Sequence, residues 1–354
     1  MLSRYSYERT MMGTKKLEIS VKGEWIEVPA LDVQGTEIVV KGTWIKLAVV
    51  HDEAWLEKEL QNPELCLKTL KEQGVGGVRP DIFTFVQQLP ATVPKYQYAK
   101  EWDSVAAIQL TSFKDWWEGL PQETRKNVRR SQKRGVEVRV HKFDDELIHG
   151  ISDVNNDSPV RQGERNVYYG RSFEQVKKDY SSFVDRSDFI CAHFGNEMIG
   201  FLKIVYRGKI ASILNLTPKA SHSDKRPANA LIAKAVELCE ARGITHVTYG
   251  LFNYGNKPDN PLREFKVRNG FQEILIPRFY VPLTSWGMLC VKLGWHRGLL
   301  GILPPRVIAW GLSARTTWYD LTKSKTMSRC SSMSERPNCD RQMGRSNPPA
   351  GSNS

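Results

Sequence analysis

An α+β fold, with helices and strands mixed along the chain, is what this sequence of 354 residues predicts, and three observations carry the expectation. The first hundred residues run in short bursts whose apolar residues lie two apart, the spacing of a half-buried strand, with glycine between bursts. Further on, segments with apolar residues three and four apart begin at Ser, Thr or Asp and end at Gly, which is how helices start and stop. Between Val136 and Thr284 the two patterns alternate in a definite order: strand, two helices, three strands, helix, strand, helix, strands. Composition agrees, since 40% hydrophobic and 25% charged residues are ordinary for a globular protein, and the length suits about two domains of ~100–200 residues.

LEISVKGEWIEV (17–28) and TEIVVKGTWIKLAVV (36–50) read as antiparallel strands, and HDEAWLEKEL (51–60) as a short helix. IFTFVQQLP (82–90) and SVAAIQL (104–110) are further strands. Residues 111–135 are helical by period, starting at Thr111-Ser112, anchored by Trp116, Trp117 and Leu120, stopping at Gly135 and split in two by Pro121. VEVRVHKF (136–143) is a strand, and DDELIHGISDV (144–154) and FEQVKKDYSSFV (173–184) are helices. DFICAHFG (188–195) and EMIGFLKIVYRG (197–208) form a hairpin turning at Gly195-Asn196, followed by the strand KIASILNLTP (209–218). PANALIAKAVELCEARG (227–243) is the clearest amphipathic helix. HVTYGLF (246–252) is a strand, NPLREFKVRNG (260–270) a helix, and FQEILIPRFYVPLT (271–284) two strands broken at Pro277. The expected organisation is a mixed α/β region over 1–100, a second domain over 101–284, amphipathic helices over 285–322, and a tail over 323–354. The tail's Ser, Arg, Asn, Pro and Gly content predicts disorder.

No apolar run approaches the ~18–20 residues that cross a bilayer, and the first residues lack the apolar core of a signal peptide. The cysteines Cys66, Cys191, Cys239, Cys290, Cys330 and Cys339 form no C-x-x-C pair, so neither a disulfide framework nor a cysteine-rich zinc site is expected, and no other metal is implied. A reducing, cytoplasmic setting is the expectation. The net charge of +12 suits an anionic ligand, a nucleic acid or an acidic membrane surface.

Three motifs stand in order within this element series. Leu120-Pro121 is followed by Arg125, Arg129, Lys133 and Gly135; Arg226-Pro227-Ala228-Asn229-Ala230-Leu231-Ile232 opens the main helix, which Gly243 closes; and Leu262-Arg263-Glu264-Phe265-Lys266 runs on to Gly270-Phe271. The order and the motifs resemble the GNAT acyl-CoA N-acyltransferase fold, and more narrowly the Fem-type peptidyltransferases and related bacterial acetyltransferase-like proteins, over roughly residues 100 to 284. The resemblance implies an N-acyltransferase that moves an acyl or aminoacyl group from a thioester or ester to an amine by direct attack. It leaves the donor open between acetyl-CoA or another acyl-CoA and aminoacyl-tRNA. The acceptor would be a small-molecule or cell-envelope-precursor amine, and no DNA is expected.

A helix start is a natural anion site because its first N–H groups are unpaired, and Lys225 and Arg226 immediately precede Pro227. The pyrophosphate-wrapping loop of the GNAT pattern would fall on Lys225-x-x-Ala228-x-Ala230, where both glycines are replaced and Pro227 removes a donor. Donor-binding candidates are therefore Lys225, Arg226, Pro227, Ala228, Asn229 and Ala230, with Leu214, Asn215 and Leu216 on the preceding strand. Asn215 serves equally as a ligand-binding amide or as a device that bends the sheet. The phenolic acid of the GNAT pattern is replaced by Phe265, which leaves Tyr249 and Tyr254 as candidate acids near the end of their strand. The loop NNDSPVRQGERNVYYGR would border the acceptor, with Arg161, Gln162, Tyr168 and Tyr169 as binding candidates and Glu164 as general base.

Arg125, Lys126, Arg129, Arg130, Lys133 and Arg134 make a broad positive stripe on one helix without an acid among them, which supports the alternative of a non-catalytic basic adaptor for nucleic acid or an anionic envelope surface. Trp116 and Trp117 are expected in the core, so no base-stacking aromatic accompanies the stripe. Residues 285–322 interleave Trp and Leu with Lys292, His296 and Arg297, a composition suited to a peripheral membrane contact or to packing on the N-terminal strands. No P-loop, H-E-x-x-H or G-x-S-x-G motif occurs.

Overall fold

The structure, a computed structural model, describes residues 14–21, 24–51, 59–161, 164–253 and 261–297. The expected helix at 51–60 falls largely outside them, as do residues 298–322 and the tail. Residues up to Lys292 make one unit; of a second unit from Leu293, a 3-10 turn at Trp295–Arg297 is described.

The chain opens with four antiparallel strands, β1 (Thr14–Val21), β2 (Glu24–Val33), β3 (Thr36–Lys41) and β4 (Leu47–Val50), as the alternating bursts predict. Helix α1 (Pro63–Gln73) comes next, unforeseen, although Asn62 caps it by accepting from the Leu65 N–H and Pro63 sits at its first position. Strands β5 (Ile82–Val86) and β6 (Ala99–Gln109) precede α2 (Phe113–Gly119) and α3 (Gln122–Lys133), which Pro121 separates as expected. Then follow β7 (Val136–His141), α4 (Asp145–Asn155), the short strands β8 (Val160–Arg161) and β9 (Glu164–Arg165), and α5 (Phe173–Tyr180). The hairpin β10 (Ser187–Phe194) and β11 (Glu197–Arg207) leads to β12 (Ile210–Pro218), α6 (Pro227–Ala241), β13 (His246–Leu251), α7 (Pro261–Arg268), β14 (Gln272–Pro282) and α8 (Ser285–Lys292).

Twelve strands form one sheet in the order β1-β2-β3-β4-β5-β14-β6-β13-β12-β11-β10-β7. The boundary expected near residue 100 falls inside β6, and the two halves of the chain share the sheet because β14 pairs with both β5 and β6. β14 is continuous rather than broken. Pro277 is accommodated one residue past the end of the β5 ladder, where its carbonyl accepts the Gln87 N–H at 2.9 Å.

Strand β11 is buried from Met198 to Val205 because helices cover both of its faces. Leu202 and Ile204, with Ile190 and Ala192 of β10, pack under α6 in one core. Phe201, with Phe189 and Cys191, packs under α4 and α5 in another, beside Leu147, Ile151 and Tyr180. A third core joins Leu67 and Leu70 of α1 to Phe83, Phe85 and Phe279. Lys203 points into the α4/α5 side although only 1% exposed, and its ammonium donates to the carbonyls of Tyr180 (2.8 Å) and Ser182, tying the end of α5 to the sheet. Burial pushes that ammonium down to about 8.

His193 lies on the same face, stacked on His141 with centroids 5.0 Å apart, near Arg139 and Glu146. Burial, then the neighbouring His141 and Arg139, holds its pKa below the ordinary histidine value. The unfolded chain therefore binds a proton near pH 6.5 that the native one refuses, so the stability is complete above that pH and is lost as pH falls through the lower native value. His193→Phe, measured by melting temperature between pH 7 and 5, is expected to flatten the decline that the parent shows.

Candidate functional site

The site is built around a fork in the sheet. β12 and β13 pair in parallel only from Ile210↔His246 to Ser212↔Thr248, and the Ser212 and Thr248 hydroxyls, 2.8 Å apart, close the crotch. Past that point β13 leaves β12 and slips in register against β6 between Thr248 and Leu251, where Gly250 has φ +58°. The departing carbonyls of Tyr249 and Leu251 are taken by the Lys266 ammonium, 2.6 Å from each, on a side chain whose residue is wholly buried. Burial pushes that ammonium down to about 8. On the other arm β12 bulges: Lys203 and Ile204 of β11 face Asn215 and Ile213, leaving Leu214 as the extra residue. Asn215 thus stands at a bend in the sheet. β12 runs on to Pro218, and its edge toward β13 opens into the fork.

A 3-10 turn, Ala220–Lys225, carries the chain from β12 to α6. It is held by the Asp157 carboxylate, which accepts from the Ala220 N–H and the Ser221 hydroxyl, both at 2.6 Å. Arg226 then enters the left-handed region (φ 56°, ψ 41°), a conformation that costs an ordinary residue roughly 1–2 kcal/mol. The turn to Pro227 also consumes helix-start donors. Pro227 has none, the Asn229 N–H reaches back to the Arg226 carbonyl at 3.2 Å, and the Ala228 N–H remains at the opening.

Behind this turn the third sequence motif does its structural work. The Asn229 amide donates to the Asn269 side chain at 3.0 Å, which in turn donates to the Phe265 carbonyl at 2.7 Å. The Trp116 indole N–H donates to the Asn269 carbonyl at 3.1 Å. Gly270 permits this contact, for with φ +85° a Cβ there would lie 2.7 Å from the indole nitrogen. Phe265 is thereby held over the α6 start while the next residue, Lys266, satisfies β13.

Between these parts lies a cavity of about 420 Å³. Of the sequence candidates it gathers Arg161, Leu216, Arg226, Pro227, Ala228 and Asn229, and it adds Ser158, Val160, Pro218, Lys219, Ala220, Ser223 and Phe265. Of the added residues, Ser158 and Val160 follow α4, Phe265 is on α7, and the rest run from the end of β12 toward α6, where position after a strand end is their one sequence signal. The Arg161 guanidinium donates to the Val154 carbonyl at 2.6 Å, which holds that end of the side chain at the rim.

Other candidates go elsewhere. Lys225 leans over the Phe194 ring, 4.5 Å from its centroid, and 3.6 Å from the Asp224 carboxylate. Ala230 faces the far side of α6, lining a second cavity of about 440 Å³ with Phe113, Trp117, Arg129 and Lys234. Trp117 packs against the main core as a half-buried residue and also lines this groove, with the Arg129 guanidinium 5.7 Å from its ring, while α2 turns Trp116 fully inward. Leu214 and Asn215 form the bulge without lining the cavity. Tyr249 packs on Phe271 beneath the Lys266 ammonium, 4.6 Å from its ring centroid. Tyr168 packs against Tyr180, its phenol pushed up by burial and then by Asp179, and Tyr169 is 48% exposed. Arg161 pairs with Glu164 across β8 and β9; Gln162, Tyr254 and the Glu164 side chain lie outside the described residues.

Neither a protein-family model nor a curated protein matches the sequence. Solved structures do share its architecture. The C-terminal domain (DUF2156) of a protein from Agrobacterium fabrum provisionally named a lysylphosphatidylglycerol synthetase is similar with a TM-score of 0.52 at 12% identity, over 75% of this chain and 87% of that one. L-PGS from Bacillus licheniformis (TM-score 0.47, 14% identity, 73% and 86% covered) and FemX (0.49, 10%, 79% and 90%) are also similar. At these identities the likeness is one of fold. The chain has the GNAT-like, Fem-type fold that its element order and motifs suggest.

Two substitutions probe the fork. Lys266→Met leaves two buried carbonyls without a donor and is expected to lower the unfolding free energy by roughly 1–3 kcal/mol in urea titration. Arg226→Gly relieves the left-handed strain and is expected to raise it by about 1 kcal/mol.

Proposed function

We propose that the chain is an N-acyltransferase, binding an activated ester or thioester in the fork and passing its acyl or aminoacyl group to an amine. The cavity at the end of β12 and the start of α6 carries the proposal, because it offers an unpaired strand edge, a helix start and two arginines around one opening. In the reaction the amine nitrogen bonds to the donor's carbonyl carbon, the C–O or C–S bond breaks, and the proton shed by the amine ends on the leaving group. Backbone N–H groups of β12 beyond Ser212 supply donors for the carbonyl oxygen as it gains charge. Arg226 and Arg161 hold anionic parts of donor or acceptor, and Glu164, opposite Arg161, is the proposed base. Of the two candidate acids for the leaving group, Tyr254 remains the proposed one, since Tyr249 packs on Phe271 away from the cavity.

The helix start favours the ester donor. A pyrophosphate cradle needs several converging N–H groups, whereas Pro227 and the Asn229 turn leave one, at Ala228. A single phosphodiester, as at the end of an aminoacyl-tRNA, fits one N–H and Arg226 better than coenzyme A does. The name of the similar Agrobacterium domain denotes joining lysyl to phosphatidylglycerol, itself an acyl transfer.

Thermal melts with acetyl-CoA, coenzyme A and charged tRNA test this. Charged tRNA is expected to raise the melting temperature and acetyl-CoA to leave it nearly unchanged, with Arg226→Gly more stable alone but less shifted by the ligand. A shift with acetyl-CoA alone would reverse the donor assignment, and none with any donor would favour the adaptor.

A further inference from the structure

On the N-terminal side of the sheet, several strands from the fork, the turn from β3 into β4 and the helix α8 present an apolar surface. Trp44, in that turn, is 59% exposed and meets Trp286 of α8 edge-on, with ring centroids 5.6 Å apart. The outward face of α8 is Ser285, Met288, Leu289 and Lys292, at the i, i+3, i+4 and i+7 spacing of one helix face. Met288 is 63% and Leu289 43% exposed, while Gly287 and Cys290 face inward. An ordinary surface helix has the opposite pattern, with polar residues outward.

The patch is rigid. A Cβ at Gly287 would lie 1.9 Å from the Asp81 carbonyl oxygen, so the start of α8 sits directly on backbone. The Asp81 carboxylate accepts from the Lys46 N–H at 2.9 Å and the Thr284 hydroxyl at 3.0 Å, joining the Trp44 turn to α8. Exposure here is therefore held in place by packing from below.

Its surroundings are cationic. Lys41, Lys46 and Lys292 are exposed beside it. No Asp or Glu occurs between Glu37 and Asp52, or between Glu273 and Asp320, and the one acid at the junction, Asp81, is occupied by its two donors. The sequence after α8 keeps the same composition, with Trp295, Trp310 and Trp318 among Arg297, Arg306 and Arg315. No helix among the described residues is long and apolar enough to cross a membrane. Tryptophan and methionine flanked by lysines, without acids, match the boundary between anionic headgroups and acyl chains.

We infer that this face, Trp44 with the outer side of α8, docks the protein on a bilayer carrying anionic lipids. Trp44, Met288 and Leu289 enter the headgroup boundary, and Lys41, Lys46 and Lys292 meet the negative surface. The inference stands independently of the proposed reaction, since none of these residues lines the fork.

Co-sedimentation of the full chain with phosphatidylcholine vesicles, with and without phosphatidylserine, tests it. Binding is expected to phosphatidylserine vesicles, weakening as salt rises. Both Trp44→Ser/Met288→Ser/Leu289→Ser and Lys41→Gln/Lys46→Gln/Lys292→Gln are expected to weaken it about tenfold. Arg226→Gly should leave it unchanged. Melting temperatures establish that the variants are folded; if the triple apolar variant is not, Trp44→Ser alone and the lysine variant decide. The inference is overturned if the parent ignores phosphatidylserine, or if the apolar variant binds as the parent does. It is overturned equally if the parent is a dimer that the apolar variant converts to monomer, which would make a second copy the occupant.

Discussion

Two parallel strands that part after three paired residues impose most of what is distinctive in this protein. Backbone groups that leave a ladder inside a folded chain must find other partners or cost free energy. On the β13 arm the partner is an ammonium: Lys266 is wholly buried and bonded to the carbonyls of Tyr249 and Leu251. Removing a lysine from water is itself unfavourable, as its depressed pKa of about 8 shows, and that cost is accepted to keep β13 bent away. On the β12 arm the edge is left facing a cavity, where a ligand can supply the partners instead.

The same constraint orders the wall of the site. Phe265 precedes Lys266 and is fixed over the α6 start because the lysine cannot move; Asn269 follows and grips Asn229. From the opposite side Asp157 holds the turn at Ala220 and Ser221. Between these two clamps Arg226 is kept in a left-handed conformation that a free chain would relax, which sets the direction in which its side chain leaves the backbone at the cavity. Strain of this kind persists only where neighbours over-determine it.

The two halves of the chain share one sheet through the other edge of β13. From His246 to Thr248 that edge is paired with β6 while β12 holds the first, and past the fork β6 pairs again at Leu251, with β14 lying beyond to join β5 and the N-terminal strands. β6 comes before the helices that cover the site and β14 after them, so residues 105–109 and 272–274 brace the same arm. The exposed apolar patch of Trp44, Met288 and Leu289 lies on the N-terminal side of this arrangement, where α8 follows directly from β14.

Much of this was legible in the residues. Periodicity, caps and glycine stops located the paired helices around Pro121, the β10–β11 hairpin and α6, because each reports the burial of a single element. The run from Leu262 to Phe271 was visible as a motif, and Arg226 to Asn229 as a helix start at the site. Other features escaped. The groove that Trp117 lines while it packs on the core was not visible, β14 looked broken because a proline interrupts it, and nothing local showed that Lys225 would lean over Phe194. The departure of β13, the burial of Lys266 and the backbone of Arg226 were decided by tertiary structure alone. Each depends on residues far apart in the chain, Lys266 with Tyr249 and Asn229 with Asn269, and local pattern carries the burial of an element but not the identity of what it meets.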